Sequence, residues 1–464
     1  MKLARFVGKK GSGDESYASV LEDEGVNVID TTRPKGNVSV HFLRNGKNAQ
    51  VSLRKAARDL FDLGICVYIA DELLDREEGH DGWTRPFEFV MPVHDPTLWK
   101  RHEKRLAKLL GHLSGDRYRF EWLQRGSLGT YGRHRKGIPV GFDAVCLFSG
   151  GVDSLLGAYE LLKLGKKVIL CGHYADGISS KAQMDLFEML RDQFGKSVVL
   201  VQCHVARSRR PTVCYSLSEK REESHRPRSF LFLTTAVAVA TLARANEIYI
   251  PENGLIALNA PLGVSRSGTL STRTVHPRFL VDFLSLVNGL QIYDGSLKNP
   301  FLLKSKTDML RGVPAELHPM LLRSVSCAHS GRIRWTGKRG IQHCGYCVPC
   351  LYRRAAFIEA GIDSAPDYYC DVFRDLTKRS DTEQCDFRFL ARFAVKVGRM
   401  STAKRQALVL QQGMFRPEEC VLIGGEHIES LTPFADMIKS WAQDFLKKVD
   451  ANSSASTLRA IGRR

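Results

Sequence analysis

Two stretches of this sequence combine residue types and spacing that can do chemistry. The first is AVCLFSGGVDS, residues 144–154: an apolar run, then Ser149-Gly150-Gly151-Val152-Asp153-Ser154, then a helical pattern. Paired glycines let the backbone curl so that successive N–H groups face one anion, and the helix that follows presents its positive end to the same point. Ser149 and Ser154 add hydroxyl donors. Asp153 is the odd member, because a carboxylate beside phosphates makes sense if it holds Mg2+ or orients the loop. A Walker loop needs a lysine that is absent here, and the plain alternative is a glycine turn between strand and helix.

The second stretch is a cysteine set, Cys327, Cys344, Cys347 and Cys350, spaced C-x16-C-x2-C-x2-C. Thiolates two residues apart can chelate one tetrahedral ion, and a distant fourth closes the sphere as in a structural zinc site. Four thiolates leave no open position, so such an ion holds structure rather than activating water. His329 and His343 could substitute for a ligand. A redox dithiol or a cluster-bearing sulfurtransferase remains an alternative, and either would keep some of these cysteines reactive.

Weaker candidates surround these two. Arg228 opens a helical pattern and can face a nucleotide or substrate, or be a surface arginine after Pro227. Glu252 and Asn253 follow an apolar run, and in open α/β sheets ligands gather at strand carboxyl ends. Ser271, Thr272, Arg273, Thr274 and His276 supply hydroxyls, a guanidinium and an imidazole within six residues, enough to grip an anion or position an acyl group, unless they form a polar surface loop.

The elements that must position these groups follow from periodicity. Residues 145–148, 168–171, 198–201 and 248–250 read as short buried strands, and 155–164, 181–194 and 230–245 as helices between them, a βαβ alternation that predicts a parallel sheet. Before it, Val38–Leu43 and Ala49–Leu53 form a hairpin signal around Asn45-Gly46. Helices over 54–74 and 96–113 and strands over 87–93 and 117–123 complete an expected N-terminal α+β domain, 1–138. The basic, glycine-containing stretch 131–141 reads as its linker. The parallel α/β domain that carries the 149–154 turn is expected over 139–325, the zinc lobe over 326–365 and a helical region with a basic tail over 366–464. In that region Phe434, Met437, Ile438, Trp441, Phe445 and Leu446 make a core stripe, with Thr432 as cap, and the last fourteen residues, 451–464, read as disordered.

Composition bounds the rest. The chain has 464 residues, 43% hydrophobic and 25% charged, enough for several domains with cores that need no disulfides. Its 12 cysteines therefore read as buried thiols plus a metal site. No apolar run reaches the length of a membrane span, and the N-terminus lacks the apolar core of a secretion signal, so the expected location is the cytoplasm. Lys plus Arg exceed Asp plus Glu by 68 − 50 = +18, a surplus that attracts nucleotides, nucleic acid or an acidic protein. No basic motif interleaved with aromatic residues is present to stack bases.

The string SGGVDS resembles the pyrophosphate-binding loop of the PP-loop ATPases, which implies an adenine nucleotide alpha hydrolase-like α/β fold, a grip on the β and γ phosphates, and cleavage of ATP to AMP and pyrophosphate. Three blocks in order, SGGVDS, RPRSFLFLTTAVAVATLA (226–243) leading to Ile248, and HCGYCVPCLYRRAAFIEAGID (343–363), resemble the 7-cyano-7-deazaguanine synthases of queuosine biosynthesis, known as QueC, over residues 141–365. That resemblance implies ATP, Mg2+ and Zn2+ as cofactors. It also implies an enzyme that adenylates a carboxylate of a deazaguanine base, lets ammonia displace AMP, and activates the resulting amide again to reach a nitrile. Two departures limit it: HYADGISSK (173–181) stands where those enzymes carry a YGQRH-type string, and ENGLIALNAPLGVSRSGTLSTRTVHP (252–277) replaces their base-contacting segment. ATP use carries over more directly than the deazapurine. The long N-terminal unit, with DLFDLGICVYIADELL (59–74) and GWTR (82–85), together with ENGLIALNAPL and STRTVHP, is similar to QueC-like proteins of bacterial anti-phage operons, particularly the QueC-like component of the Qat system, which implies companion proteins from the same operon.

The expected activity is therefore carboxylate activation with ATP for transfer to an amine such as ammonia or a protein amino group. A tRNA-modifying PP-loop enzyme of the thiolase type, or an ATP-binding scaffold without turnover, are the other two classes.

Overall fold

The computed structural model describes residues 4–9, 26–31, 36–53, 55–79, 81–126, 137–174, 177–207, 222, 224–259, 273–333, 343–411, 413–420, 423 and 428–463. Its centre is a seven-stranded sheet. Strands β7 (Ala144–Leu147), β8 (Val168–His173), β9 (Val198–Arg207), β10 (Glu247–Tyr249) and β11 (Ser296–Lys298) run parallel in the order β11-β10-β7-β8-β9. Successive side chains of a strand face opposite sides of a sheet, so a strand covered on both sides is apolar throughout. Val145 on β7 and Ile169 and Cys171 on β8 enter one core, whereas Ala144 and Cys146, with Val168 and Leu170, enter the other.

Helices α3 (Val152–Lys163) and α4 (Gly177–Phe194) supply the second core through Leu155, Leu156, Leu186 and Phe187. Helices α5 (Arg228–Ala243) and α6 (Pro277–Gly289) cover the first through Phe230, Leu233, Val237, Phe279 and Phe283. The molecule is thus an α/β sheet with helices on both faces, as the alternation of strand and helix predicts.

The expected hairpin forms, but not where a self-contained N-terminal unit would keep it. Strands β3 (Val38–Arg44) and β4 (Lys47–Ala49) extend the large sheet, β3 antiparallel to β9 from Val38 opposite Arg207 to Arg44 opposite Val201. The turn residues hold the pairing: Asn45 N–H donates to the Leu200 carbonyl at 2.8 Å, and its side-chain oxygen accepts from Leu200 N–H at 2.9 Å. Asn45 and Gly46 both have positive φ, as a tight two-residue hairpin turn requires. Without β3, the long strand β9 would leave its outer row of backbone groups unpaired.

The other early strands, β1 (Ala4–Lys9), β2 (Val26–Asp30), β5 (Pro86–Val93) and β6 (Arg117–Gln124), form a separate sheet of order β2-β1-β5-β6 that is parallel throughout. Helix α1 (Lys55–Leu73) lies between this sheet and α5 so tightly that a β-carbon on Gly64 would collide with Thr234. Helix α2 (Pro96–Ser114), N-capped by Asp95 and ended by Gly115 at φ +85°, packs on β6.

Toward the carboxyl end the chain is helical, with long helices over Asp381–Arg399, Thr402–Leu410 and Thr432–Asn452. Phe434, Met437, Ile438, Trp441 and Phe445 face the core as their spacing predicts. Thr432 is the first helical residue, Leu431 taking the cap position. Residues 451–463 are structured, contrary to the expected disorder: Ser454 caps a short helix over Ala455–Ala460, whose Leu458 is buried. Among the described residues, no helix is long and apolar enough to cross a membrane.

Candidate functional site

Strand β7 ends at Leu147, and the chain then turns through Ser149, Gly150 and Gly151 into α3. Gly150 sits at φ +83°, where side-chain-bearing residues are strained, and a β-carbon there would lie 3.1 Å from the Ala182 β-carbon on α4. Replacing Gly150 by alanine is expected to cost about 1–2 kcal/mol from backbone conformation alone. The loop would also be displaced from α4. Urea denaturation measures the first effect and ATP titration the second.

Gly151 is the N-cap of α3 and, lacking a side chain, makes no side-chain capping bond. The first-turn N–H groups of a helix have no intrahelical acceptor, so those of α3 can serve an anion. The serines stitch the turn together: Gly151 N–H donates to Ser149 Oγ at 3.3 Å, the two serine oxygens lie 3.2 Å apart, and Ser154 Oγ donates to the Gly151 carbonyl at 3.0 Å. Ser149 is exposed, whereas Gly150, Gly151, Val152 and Ser154 are buried.

Asp153 points away from that turn into protein. Its Oδ2 accepts from Asn253 N–H at 3.0 Å and from Asn253 Nδ2 at 2.6 Å, and Lys306 Nζ lies 2.6 Å from Oδ1. Burial pushes the Asp153 carboxyl up, but the Lys306 ammonium and the hydrogen bonds of its neighbours outweigh it and hold the group below the usual carboxylate range. Of the two roles open to this carboxylate, these contacts are those of a brace for the loop.

Asn253 is buried and bridges three groups. It caps the one-turn helix Gly254–Ala257 by accepting from Ile256 N–H, and its Nδ2 also lies 3.3 Å from Glu252 Oε1. Glu252 is fixed from β11's side: its N–H donates to Asn299 Oδ1 at 3.2 Å, and its carbonyl accepts from Asn299 Nδ2 at 2.9 Å. Asp153, Glu252 and Asn253 thus come together beyond the carboxyl ends of β7 and β10. Lys306 joins them, a residue for which sequence reading offered no sign beyond the helix-start string SKTD. Ser305 and Asp308 in that string form a reciprocal capping box.

Arg228 is the first residue of α5 and is exposed. It lies near Tyr68 and His173, the last residue of β8. Burial, with the charges of His204 and Arg228, brings the His173 imidazole down to about 3. Arg273 and His276 gather elsewhere: Arg273 Nη1 donates to the His112 carbonyl at 2.6 Å at the end of α2, and His276 packs edge-on against His112 and Phe415. Among the described residues neither bonds to loop 149–154. Burial, followed by neighbouring positive charge, holds His276 well below its ordinary range, so it is neutral at pH 7. Ser271 and Thr272 lie outside the described residues.

The four expected metal ligands converge. Sγ atoms of Cys327, Cys344, Cys347 and Cys350 all lie within 4.8 Å of one another, Cys344 and Cys350 at 3.8 Å. Sulfurs about 2.3 Å from a common tetrahedral zinc ion stand about 3.8 Å apart, so the residues fit that ion. Backbone N–H groups of His329 and Cys344 donate to Cys327 Sγ, and that of Cys347 to Cys344 Sγ, each at 3.3 Å. Such donors favour the thiolate form. Burial and the neighbouring sulfurs push the Cys344 thiol up, so a cation at the centre is what allows all four to be thiolates. Gly345, at φ +84°, makes the tight turn between ligands, and a β-carbon there would collide with the Cys370 carbonyl. Histidines 329 and 343 are outside the sulfur set. After Cys347 the chain enters the helix Val348–Glu359. On it, Arg353 is buried against Ser324 and Leu321, and Arg354 pairs with Asp363 and Asp371.

Segment 325–326 joins the two centres, a link that sequence reading missed. Val325 N–H donates to the Gly150 carbonyl at 2.9 Å, and Val152 N–H donates to Ser326 Oγ at 3.3 Å. The glycine turn and the cysteine lobe are therefore one assembly.

The chain is similar to a 7-cyano-7-deazaguanine synthase. The relative, from Methanothrix thermoacetophila, is 26% identical over 241 residues, which are 48% of this chain and 98% of that enzyme. No profile of a known protein family matches the chain. A whole enzyme of that kind thus corresponds to about half of this protein.

Proposed function

We propose that this protein is an ATP-dependent enzyme that activates a carboxylate, that of a deazaguanine-type compound, with release of AMP and pyrophosphate, and passes the acyl group to an amine. The observation that carries the reading is the glycine turn at the head of α3, braced from behind by the Asp153–Asn253–Lys306 cluster. The similarity to a 7-cyano-7-deazaguanine synthase supports both ATP use and the class of base.

In this reading the N–H groups of residues 150–154, with the Ser149 and Ser154 hydroxyls, hold the β and γ phosphates. Mg2+ accompanies the triphosphate and supplies charge neutralisation. A carboxylate oxygen attacks the α phosphorus, the bond to the β-phosphate oxygen breaks, and pyrophosphate stays in the turn. The neutral amine then attacks the acyl carbon, AMP leaves with the bonding pair, and the proton lost from the nitrogen passes to solvent. Such a step needs alignment and charge stabilisation more than a protein nucleophile. Arg228, at the carboxyl edge of the sheet, is assigned to the developing charge, and Glu252, Asn253, Ser271 and Thr272 to the substrate. Zinc belongs to the four cysteines and holds the lobe.

Anti-phage defence, with partners encoded in the same operon, is the biological setting we propose; the similarity of the N-terminal unit and of ENGLIALNAPL and STRTVHP to QueC-like defence proteins supports it. The thiolase alternative needs a reactive thiol. Among the described cysteines outside the four, Cys66, Cys146, Cys171, Cys203, Cys370 and Cys420 are buried, burial pushing up the thiols of Cys66, Cys146, Cys171, Cys203 and Cys420, and Cys385 is exposed.

Incubation with ATP, Mg2+, a carboxylated deazaguanine and either ammonia or the neighbouring operon proteins is expected to yield AMP and pyrophosphate in step with acyl transfer. Turnover that gives ADP and phosphate instead contradicts the reading.

A further inference from the structure

Ser326 stands at the junction of the anion turn and the cysteine lobe, and is held from both sides. On one side it accepts a hydrogen bond from the Val152 N–H, and its neighbour Val325 donates to the Gly150 carbonyl. A β-carbon on Gly151 would lie 3.3 Å from Ser149 Oγ, Ser326 Oγ and the Val325 carbonyl alike, so the two segments are already in close contact. On the other side Ser326 N–H donates to His343 Nε2 at 3.3 Å, and the residues that follow each of these two, Cys327 and Cys344, belong to the sulfur cluster.

A hydroxyl carries one proton and two lone pairs. One lone pair of Ser326 is used by Val152 N–H. Its proton has no acceptor among the described residues, and the side chain is only partly buried, beside the exposed Ser149. A donor in that position, next to the first N–H of α3, adds to the group of donors that faces a phosphate.

We infer that Ser326 is a further phosphate-binding residue of the turn, and that the four-cysteine lobe sets its position, so that metal in the lobe governs affinity for ATP. The inference rests on the phosphate-loop reading. It gives the lobe a task beyond folding: through Ser326 and His343 it presents one donor to the nucleotide from a segment 174 residues away from α3.

The test is calorimetric titration of the full-length, zinc-loaded protein with Mg2+ and α,β-methylene ATP, with zinc content measured alongside. S326A is expected to bind about tenfold more weakly, the low end for a hydrogen bond to a charged group, at unchanged zinc content and melting temperature. S326T, which keeps the hydroxyl, is expected to recover most of the affinity. Removing zinc from the wild-type protein is expected to weaken binding at least as much as S326A does. Equal affinity of S326A and wild type overturns the inference alone, as does wild-type affinity that survives zinc removal. A defect shared by S326A and S326T that tracks zinc loss overturns the phosphate contact. No binding by the wild-type chain removes the phosphate-loop reading, and the inference with it.

Discussion

Replacing Asp153 by alanine is expected to lower the stability of the protein by about 3–5 kcal/mol, because it leaves the buried Lys306 ammonium without its counter-charge. It also removes the acceptor for both Asn253 donors. The pair is buried, so the loss is not softened by solvent in the way a surface ion pair's would be. Removing both charges separates the two roles of the cluster. D153A/K306M is expected to regain most of the stability, since no ion is left unpaired, yet not the affinity for ATP, since the turn has lost its brace. Urea denaturation and nucleotide titration of the two variants measure this directly. A D153A protein of wild-type stability would show that the Asp153–Lys306 contact is not what holds the turn.

The same group sets a pH dependence. The folded carboxyl lies below its ordinary value, so its stabilisation is fully present above the unfolded value of about 3.9 and is lost as pH falls through the lower, folded value. The difference in stability between wild type and D153A should accordingly be constant near neutrality and shrink only below about pH 4.

Loss of metal from the cysteine lobe is expected to have the second large effect. Structural zinc contributes roughly 10–16 kcal/mol of binding free energy in isolated zinc-finger peptides, and that energy is coupled to folding. One zinc per chain is expected by elemental analysis. Cysteine-to-alanine substitution at Cys347, or chelation under mild denaturant, should lower the melting temperature and open the lobe. Because Val325 and Ser326 reach the turn, hydrogen-exchange protection should fall at residues 149–154 as well as at 343–350. Metal-free protein with unchanged protection in both segments would contradict the account of a single assembly.

What could be read from the amino acids was local. The turn 149–154 stands out because paired glycines and serines sit between a strand buried on both faces and a helix, and each constraint acts within a dozen residues. The cysteine set stands out because thiolates at a spacing of two can reach one ion. What could not be read depends on distant pairing. Nothing in Val38–Ala49 says that its partner is β9 rather than a strand of its own unit, since alternation fixes which side chains are buried and not which edge is met. Lys306 and Ser326 are common residue types far along the chain from Asp153 and Val152, and only the fold brings them into contact. Arg273 and His276 looked like part of one polar site by proximity in sequence, but the chain carries them to the end of α2 instead. The composition of the tail points to disorder, and the serine cap at 454 with buried Leu458 outweighs it.

The central claim is that the turn after β7 grips the far end of ATP, leaving the α phosphate free to be attacked. A crystal of the protein soaked with magnesium and α,β-methylene ATP tests it most directly. The expected result places the β and γ phosphates within hydrogen-bonding distance of the N–H groups of residues 150–154, with the α phosphate toward the Glu252–Asn253 side. A nucleotide bound with its triphosphate away from that turn would contradict it.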